Sequence, residues 1–434
     1  MSFNKKTIRD VDLKGKRVLL RADYNVPLKD GLIQDDYRLR QSLPTIKYIL
    51  SKEPAALIIM SHLGRPKGQP DLKYSLRPVA RRLAVLLGQH VEFTGDYLGP
   101  PASNGLANLK NGGVALLENL RFHPEEEAND SAFAKEIVAS TGAEVFVADG
   151  FGVVHRAHAS TEAITKFLPS VAGLLLEKEV DTITEVMANP KRPLVAVVGG
   201  AKISDKIDVL NRLIEIADCV AVGGALANDF LRAQRIGVGA SLCDDASLGI
   251  AKTVLLQAAR TERKRNFKFL VPGDAVVAKK ADGRAKTRIV DLFTHSVADI
   301  ENYPKTPNQK SHTIQKDEMI LDAGPVSAAR IAGAIDMAQT VIWSGTLGVT
   351  EVKGIAGARD PFGHGTRTIV EAMIGDSNTH ANKPFSVVGG GDTVAYVESQ
   401  GLVSDFNHVS TGGSASLELM AGRKLPGVEA LENK

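Results

Sequence analysis

The residues best suited to chemistry stand just past short apolar runs. The stretch VLLRADYNVP (18–27) passes from Val18, Leu19 and Leu20 into Arg21, Asp23 and Asn25 before Pro27 ends regular structure. Further cations follow in strand-end or loop segments: Arg38 in DDYRLR, His62 and Arg65 in SHLGRPKG, Arg121 in NLRFHPEEE, and His155, Arg156 and His158 in HRAHAS. Arginine presents a planar fork of donors that matches carboxylate and phosphate oxygens. Several such forks in one cleft are costly unless a polyanion neutralises them, so this half implies a small, doubly or triply anionic ligand. Asp23 and Asn25 would hold its hydroxyls or orient the arginines. His155 and His158 lie three apart, but no acidic residue stands at convincing ligand spacing, and no metal is expected there.

The second half is rich in glycine instead. VVGGAKISDK (197–206) places two glycines after an apolar run, then Lys202 and Lys206 four residues apart. On a helix that spacing puts both ammoniums on one face. Glycine-freed amides and a helix N-terminus make an anion cradle. VVGGGDTVAYVE (387–398) is sharper: Gly390 and Gly391 lead into Asp392 and Thr393, which open the next helix, with Asp392 placed to hold Mg²⁺. STGGSASLELM (410–420) is a second turn of this kind. No G-x-x-x-x-G-K-[ST] stretch occurs, so this is not a P-loop of that type. One half looks built for a small polyanion and the other for nucleotide phosphates. A hinged pair that excludes water on closing suits phosphoryl transfer.

These residues need elements to position them. Nine apolar runs, from RVLLRAD (17–23), ALIIMSH (56–62), VALLENL (114–120) and AEVFVAD (143–149) through PLVAVVGG (193–200), CVAVGG (219–224), FLVPGD (269–274), TVIWSG (340–345) and FSVVGGG (385–391), alternate with helix-like segments. Near-continuous apolar runs indicate strands covered on both faces, and their alternation with helices indicates parallel layers. Ligands of open α/β sheets bind beyond the carboxyl ends of the strands, where nearly every run here turns polar. The fold class is α/β: two Rossmann-like parallel-sheet domains joined by a hinge helix, which the apolar spacing places at about Gly173 to Met187.

The 434 residues, 44% hydrophobic and 24% charged, suffice for two or three domains with real cores. A net charge of +3 does not mark a nucleic-acid binder. Two cysteines, Cys219 and Cys243, make neither a disulfide framework nor a zinc set. Neither a signal-peptide core nor a membrane-length apolar run occurs, and a cytoplasmic protein is expected.

The motifs RADYNVP, DDYRLR, SHLGRPKG, LLENLRFHPEEE, FGVVHRAHAS, AGLLLEKEV, GGAKISDKI, GGGDT and HVSTGGSASLELM, with LPGVEAL after them, closely resemble the phosphoglycerate kinase family, in the family's order over almost the whole chain. The resemblance implies reversible phosphoryl transfer from 1,3-bisphosphoglycerate to Mg-ADP in glycolysis and gluconeogenesis, with Mg²⁺ as cofactor and a monomer as the default. It implies a triose site of Asp23, Asn25, Arg38, His62, Arg65, Arg121 and Arg156, with Arg38 contacting the phosphoryl group in flight and Arg21 a structural ion-pair partner. It implies Lys202 near the transferred group, Lys206 on nucleotide phosphates, Glu351 on the ribose, and Gly390, Gly391, Asp392 and Thr393 as the phosphate and Mg²⁺ turn. It implies Arg38, Lys202 and Gly390 as the catalytic set. The implied domains are 1–172 for the triose, 173–188 for the joining helix, 189–406 for the nucleotide, and 407–434 returning to the first domain.

Several positions depart from the family's pattern. In WSGTLGVTE (343–351) Ser344 stands for the usual Asn, with Thr346, Leu347 and Thr350 also changed. Ile320 replaces a Gly and is expected to crowd an adenine pocket. Gly150, Val153, Val154 and Ser414 also differ. Lys279 to Asp317 reads as a surface insertion, and 357–368 departs in spacing. The competing readings are a carboxylate kinase of altered nucleotide preference and a non-catalytic binding protein on the same fold.

Overall fold

The computed structural model describes residues 3–96, 105–107, 109–292, 313–355, 360–375 and 383–434. The chain divides into two compact units. The first comprises Met1–Thr184 with Thr411–Leu419 and Arg423–Lys434, and the second Glu185–Ser410 with Met420–Gly422. The division falls within the helix Leu174–Ala188.

The first unit is built on a six-stranded parallel sheet. Its spatial order is Val91–Phe93, Gly113–Leu116, Ala56–Met60, Arg17–Arg21, Val145–Ala148, Ser170–Ala172. Val18, Leu19 and Leu20 are wholly buried, as central strands with both faces covered must be. The helices Tyr37–Leu50 and Arg77–Leu87 carry apolar stripes onto the sheet: Leu39, Ile46, Ile49, Val79 and Leu83 share one core with Val18 and Leu20. The C-terminal segment is stitched in by backbone bonds, with Lys6 N–H donating to Glu432 O at 2.8 Å and Gly427 N–H to Val154 O at 2.9 Å.

The second unit repeats the plan in a second six-stranded parallel sheet. The order is Lys268–Leu270, Cys219–Val222, Leu194–Val198, Thr340–Ser344, Phe385–Gly389, His408–Val409. All nine apolar runs contain strands, as a doubly covered parallel sheet demands. One differs in detail. FLVPGD straddles two strands in different sheets, because Pro272 cannot donate to a ladder and ends Lys268–Leu270. Asp274–Ala278 then starts a small antiparallel sheet between Arg288–Asp291 and Met319–Ala323. The supposed surface insertion therefore supplies a sheet strand, Arg288–Asp291. Its residues 293–312, and 357–359 of the second irregular segment, lie outside the described residues.

Strand Leu194–Val198 pairs with Thr340–Ser344, and the turns that follow them interlock. Gly345 has φ +101°, a conformation L side chains rarely adopt, and a Cβ there would lie 2.2 Å from the Gly199 carbonyl carbon. Gly345→Ala is thus expected to destabilise the second unit by about 2 kcal/mol or more. Urea unfolding would check this, and an unchanged midpoint would show that the turn yields freely.

Candidate active site

In the first unit, parallel strands deliver their polar residues to one edge. Asp23 follows the strand Arg17–Arg21, and His62 follows Ala56–Met60. Arg38 is not at a strand end: it stands in the first turn of the helix Tyr37–Leu50. A cation there opposes the helix dipole, and no acidic residue occupies that turn. Its compensation is Asp23, whose Oδ2 accepts from Arg38 Nη1. Burial is the largest single influence and would raise the Asp23 pKa, but Arg38, His62, the Asn25 amide and Arg21 together outweigh it and hold the carboxyl at about 2. Of the two roles open to Asp23, orienting an arginine is one it performs.

Burial pushes His62 well below the usual imidazole value, against the pull of Asp23 and with the help of Arg21, Arg121 and Arg38. The ring is neutral, with Nδ1 3.4 Å from Arg21 Nη2. Arg21 is wholly enclosed: its Nε donates to Ser160 Oγ at 2.7 Å, and Nη2 lies 3.8 Å from Glu126 Oε1. Glu126 also accepts from Ser160 Oγ at 2.6 Å. Arg121 sits in the turn Leu120–Phe122, with Nη1 on Gly64 O at 2.9 Å and Nε 3.1 Å from Glu127. Asn25 Oδ1 accepts from Gly64 N at 2.9 Å. Asp23, Asn25, Arg38, His62 and Arg121 thus form one linked cluster. Arg65 and Arg156 are exposed, and Arg156 Nε donates to His155 Nε2 at 3.1 Å. Burial, with neighbouring arginines, lowers His155 to about 4 and His158 to about 3. The C-terminal segment reaches the cluster too. A Cβ on Gly152 would meet Asp23 Oδ2 at 2.2 Å, Arg38 Nη1 at 3.0 Å and Thr411 O at 3.2 Å.

In the second unit the lysine pair differs from its sequence reading. Neither lysine lies within a helix: Lys206 is the N-cap of Ile207–Ile216 and Lys202 stands in the preceding loop. Gly200, at φ +112°, turns the chain before a helix can begin. Lys202 is exposed. Lys206 is half-buried, its ammonium donating to Gly199 O at 2.6 Å, Ser344 O at 2.9 Å and Ser344 Oγ at 3.2 Å. Burial lowers it to about 8, against the pull of Asp392 and Asp205. The hydroxyl that stands where the family has an amide therefore binds a lysine. Thr393 Oγ1 accepts from Gly345 N at 2.6 Å, tying the two glycine turns together. Gly390, at φ +89°, caps the helix Gly391–Ser399, and Asp392 is exposed in its first turn.

Beside these turns lies a largely apolar pocket of about 250 Å³, lined among others by Gly200, Gly224, Ile320, Leu347, Glu351 and Asp392. Glu351 and Asp392 thus share one pocket, and Ile320 is part of its wall. Two buried polar residues of this pocket escaped the sequence reading, Asn228 and Asp322. Their signal was the Asn-Asp pair inside ALANDF and the lone Asp in MILDAG. Burial raises Asp322 to about 7 against hydrogen bonds from Gly365 and Ala323.

Paired cations at a parallel-sheet edge and a glycine-walled pocket beside a half-buried lysine define a phosphotransferase of the α/β class. The pattern of one such family, described as phosphoglycerate kinase, matches residues 8–423. Curated phosphoglycerate kinases are similar over full length: that of Chloroflexus aurantiacus is 46% identical over 434 residues, and that of Chloroherpeton thalassium 46% over 432, each match covering 99% of this chain and 100% of the relative. Among solved structures, phosphoglycerate kinase from Coxiella burnetii superposes with a TM-score of 0.77 at 32% identity, and that from Pyrococcus horikoshii OT3 with 0.79 at 28%, each covering 98% of both chains. The chain belongs to the phosphoglycerate kinase family.

The Asp23–Arg38 pair has a pH signature. The folded carboxyl lies below its unfolded value of 3.8, so its stabilisation is present above that pH and is lost as pH falls towards about 2. Asp23→Asn is expected to destabilise the first unit at neutral pH, on the order of 1–3 kcal/mol. The deficit should shrink on acidification through this window. Chemical denaturation of both proteins across the window would check it, and a pH-independent deficit would count against the pairing.

Proposed function

We propose that this chain catalyses reversible phosphoryl transfer from 1,3-bisphosphoglycerate to Mg-ADP, giving 3-phosphoglycerate and Mg-ATP. The observation that carries the site assignment is the Asp23–Arg38 pair: a guanidinium oriented by a buried carboxylate, beside a neutral His62, where strands of the first sheet end. Asp23, Asn25, Arg38, His62, Arg65, Arg121 and Arg156 would bind the triose. The acceptor carboxylate is already an anion, so no general base is needed. Catalysis then rests on positioning and on charge stabilisation.

Arg38, Lys202 and the amides at Gly390 and Gly391 would stabilise the transferring group. Lys206 and Thr393 would hold the nucleotide phosphates, and Glu351 the ribose. Burial of Lys206 supports this role, since a partly desolvated ammonium attracts phosphate more strongly than an exposed one. Asp392 offers a single exposed carboxylate beside the glycine turn, the kind of hard oxygen ligand Mg²⁺ takes together with phosphates and water. Bound there, the ion would neutralise phosphate charge. Hinge-bending that excludes water, a monomeric state and a cytoplasmic location complete the proposal. No helix among the described residues is long and apolar enough to cross a membrane.

Steady-state phosphorylation of 3-phosphoglycerate by Mg-ATP, coupled to NADH oxidation through glyceraldehyde-phosphate dehydrogenase, tests the reading. Silence from folded protein that still binds 3-phosphoglycerate would favour a binding protein. Arg38→Ala should lower kcat by about 10²–10³-fold with a near-normal fold, and near-normal turnover would remove Arg38 from its role. Asp392→Asn should raise the Mg²⁺ and nucleotide requirement while sparing triose binding. An unchanged Mg²⁺ dependence would show that the ion is held elsewhere.

A further inference from the structure

The pocket of the second unit has one polar feature that the phosphate and ribose assignments leave unused. Asn228 lies in the helix Leu226–Ala233, wholly buried, and lines the pocket together with Leu231, Leu242, Ile320 and Leu347. Its Nδ2 donates to Leu242 O at 3.0 Å, which fixes the orientation of the amide. The other end, Oδ1, is buried and has no hydrogen-bond partner among the described residues. Buried polar atoms are nearly always paired, so an orphan acceptor in a pocket wall points to a donor that arrives with a ligand. The pocket's buried carboxylate is already engaged: Asp322 Oδ1 accepts from Ala323 N at 2.9 Å and Oδ2 from Gly365 N at 3.0 Å.

We infer that Asn228 reads the nucleobase, its side-chain oxygen accepting a hydrogen bond from the exocyclic amino group of a 6-aminopurine. This rests on the nucleotide reading given above. The apolar walls suit the faces of a planar ring, and the wall polarity decides between purines. Adenine presents an amino group at position 6, which Oδ1 would satisfy. A 6-oxopurine would bring a carbonyl to the same place, where two acceptors face one another. Among the described side chains of this pocket, no buried donor stands unpaired to meet such a carbonyl. A site built around one hydrogen bond discriminates against the analogue that cannot make it, because its own group is then left buried and unpaired. Asn228 would thus set nucleotide preference in a pocket that is otherwise shaped only by apolar contact.

The test uses the full chain and 3-phosphoglycerate, with three triphosphates compared by kcat/KM: ATP, purine riboside triphosphate, which lacks the amino group, and ITP, which carries a 6-oxo group. Wild type should favour ATP over both by at least about tenfold. Asn228→Leu should bring ATP down to the level of purine riboside triphosphate and erase that ratio. The wild-type comparison needs no variant, so a misfolded Asn228→Leu protein leaves the test intact. Equal use of ATP and purine riboside triphosphate by wild type would overturn the inference, as would a ratio that survives in folded Asn228→Leu. ITP used as well as ATP would also overturn it. Those results leave the kinase reading standing, whereas no turnover with any triphosphate would overturn that reading and this inference with it.

Discussion

Parallel strands all run the same way, so every strand of a parallel sheet finishes at the same edge. Side chains that follow the last paired residue are therefore gathered without any long-range instruction beyond strand direction. Asp23 and His62 lie 98 and 59 residues from Arg121 in sequence, yet the order Gly113–Leu116, Ala56–Met60, Arg17–Arg21 brings them to one rim. In the second sheet, Leu194–Val198, Thr340–Ser344 and Phe385–Gly389 stand side by side, and the turns that follow them meet, with Gly345 N donating to Thr393 Oγ1. Two clusters of different chemistry thus follow from one directional constraint, applied twice.

The units handle buried charge in different ways. The first balances it with opposite charge: Asp23 against Arg38, and Arg21 against Glu126, with Ser160 bonded to both members of the second pair. Histidines in that environment stay neutral, because burial and surrounding guanidiniums both disfavour a further cation. The second unit encloses Lys206 with carbonyl and hydroxyl oxygens, which satisfy the ammonium's donors without cancelling its charge. Charge left unneutralised in this way is available to an incoming anion.

Much of this was legible in the sequence because burial on both sheet faces writes itself as unbroken apolar runs. Each of the nine holds a strand, and the polar ends mark the edges where the candidate site residues gather. Spacing was less reliable. Lys202 and Lys206, four apart, read as a helical face, but residues 201–206 follow a loop and turn, and the helix begins only at Ile207. Arg38 read as a strand-end cation, though it opens a helix and owes its position to Asp23. The small antiparallel sheet was hidden because FLVPGD looks like one run, and only the missing N–H of Pro272 separates its strands. Asn228 could not be distinguished from an ordinary helical asparagine. What sets it apart is the lack of a partner, which no sequence displays.

Several of the closest contacts in WSGTLGVTE fall on its backbone. A Cβ at Gly199 would strike Thr346 O at 2.2 Å and one at Gly224 the same oxygen at 2.9 Å, while a Cβ at Gly348 would meet Phe362 O at 2.3 Å. Neighbouring chain therefore reads the path of this stretch more than the identity of its side chains. Over generations such a segment can drift at Thr346 or Thr350 while Gly345 and Gly348 stay, since a glycine lost on either side of the interlock has no single compensating change.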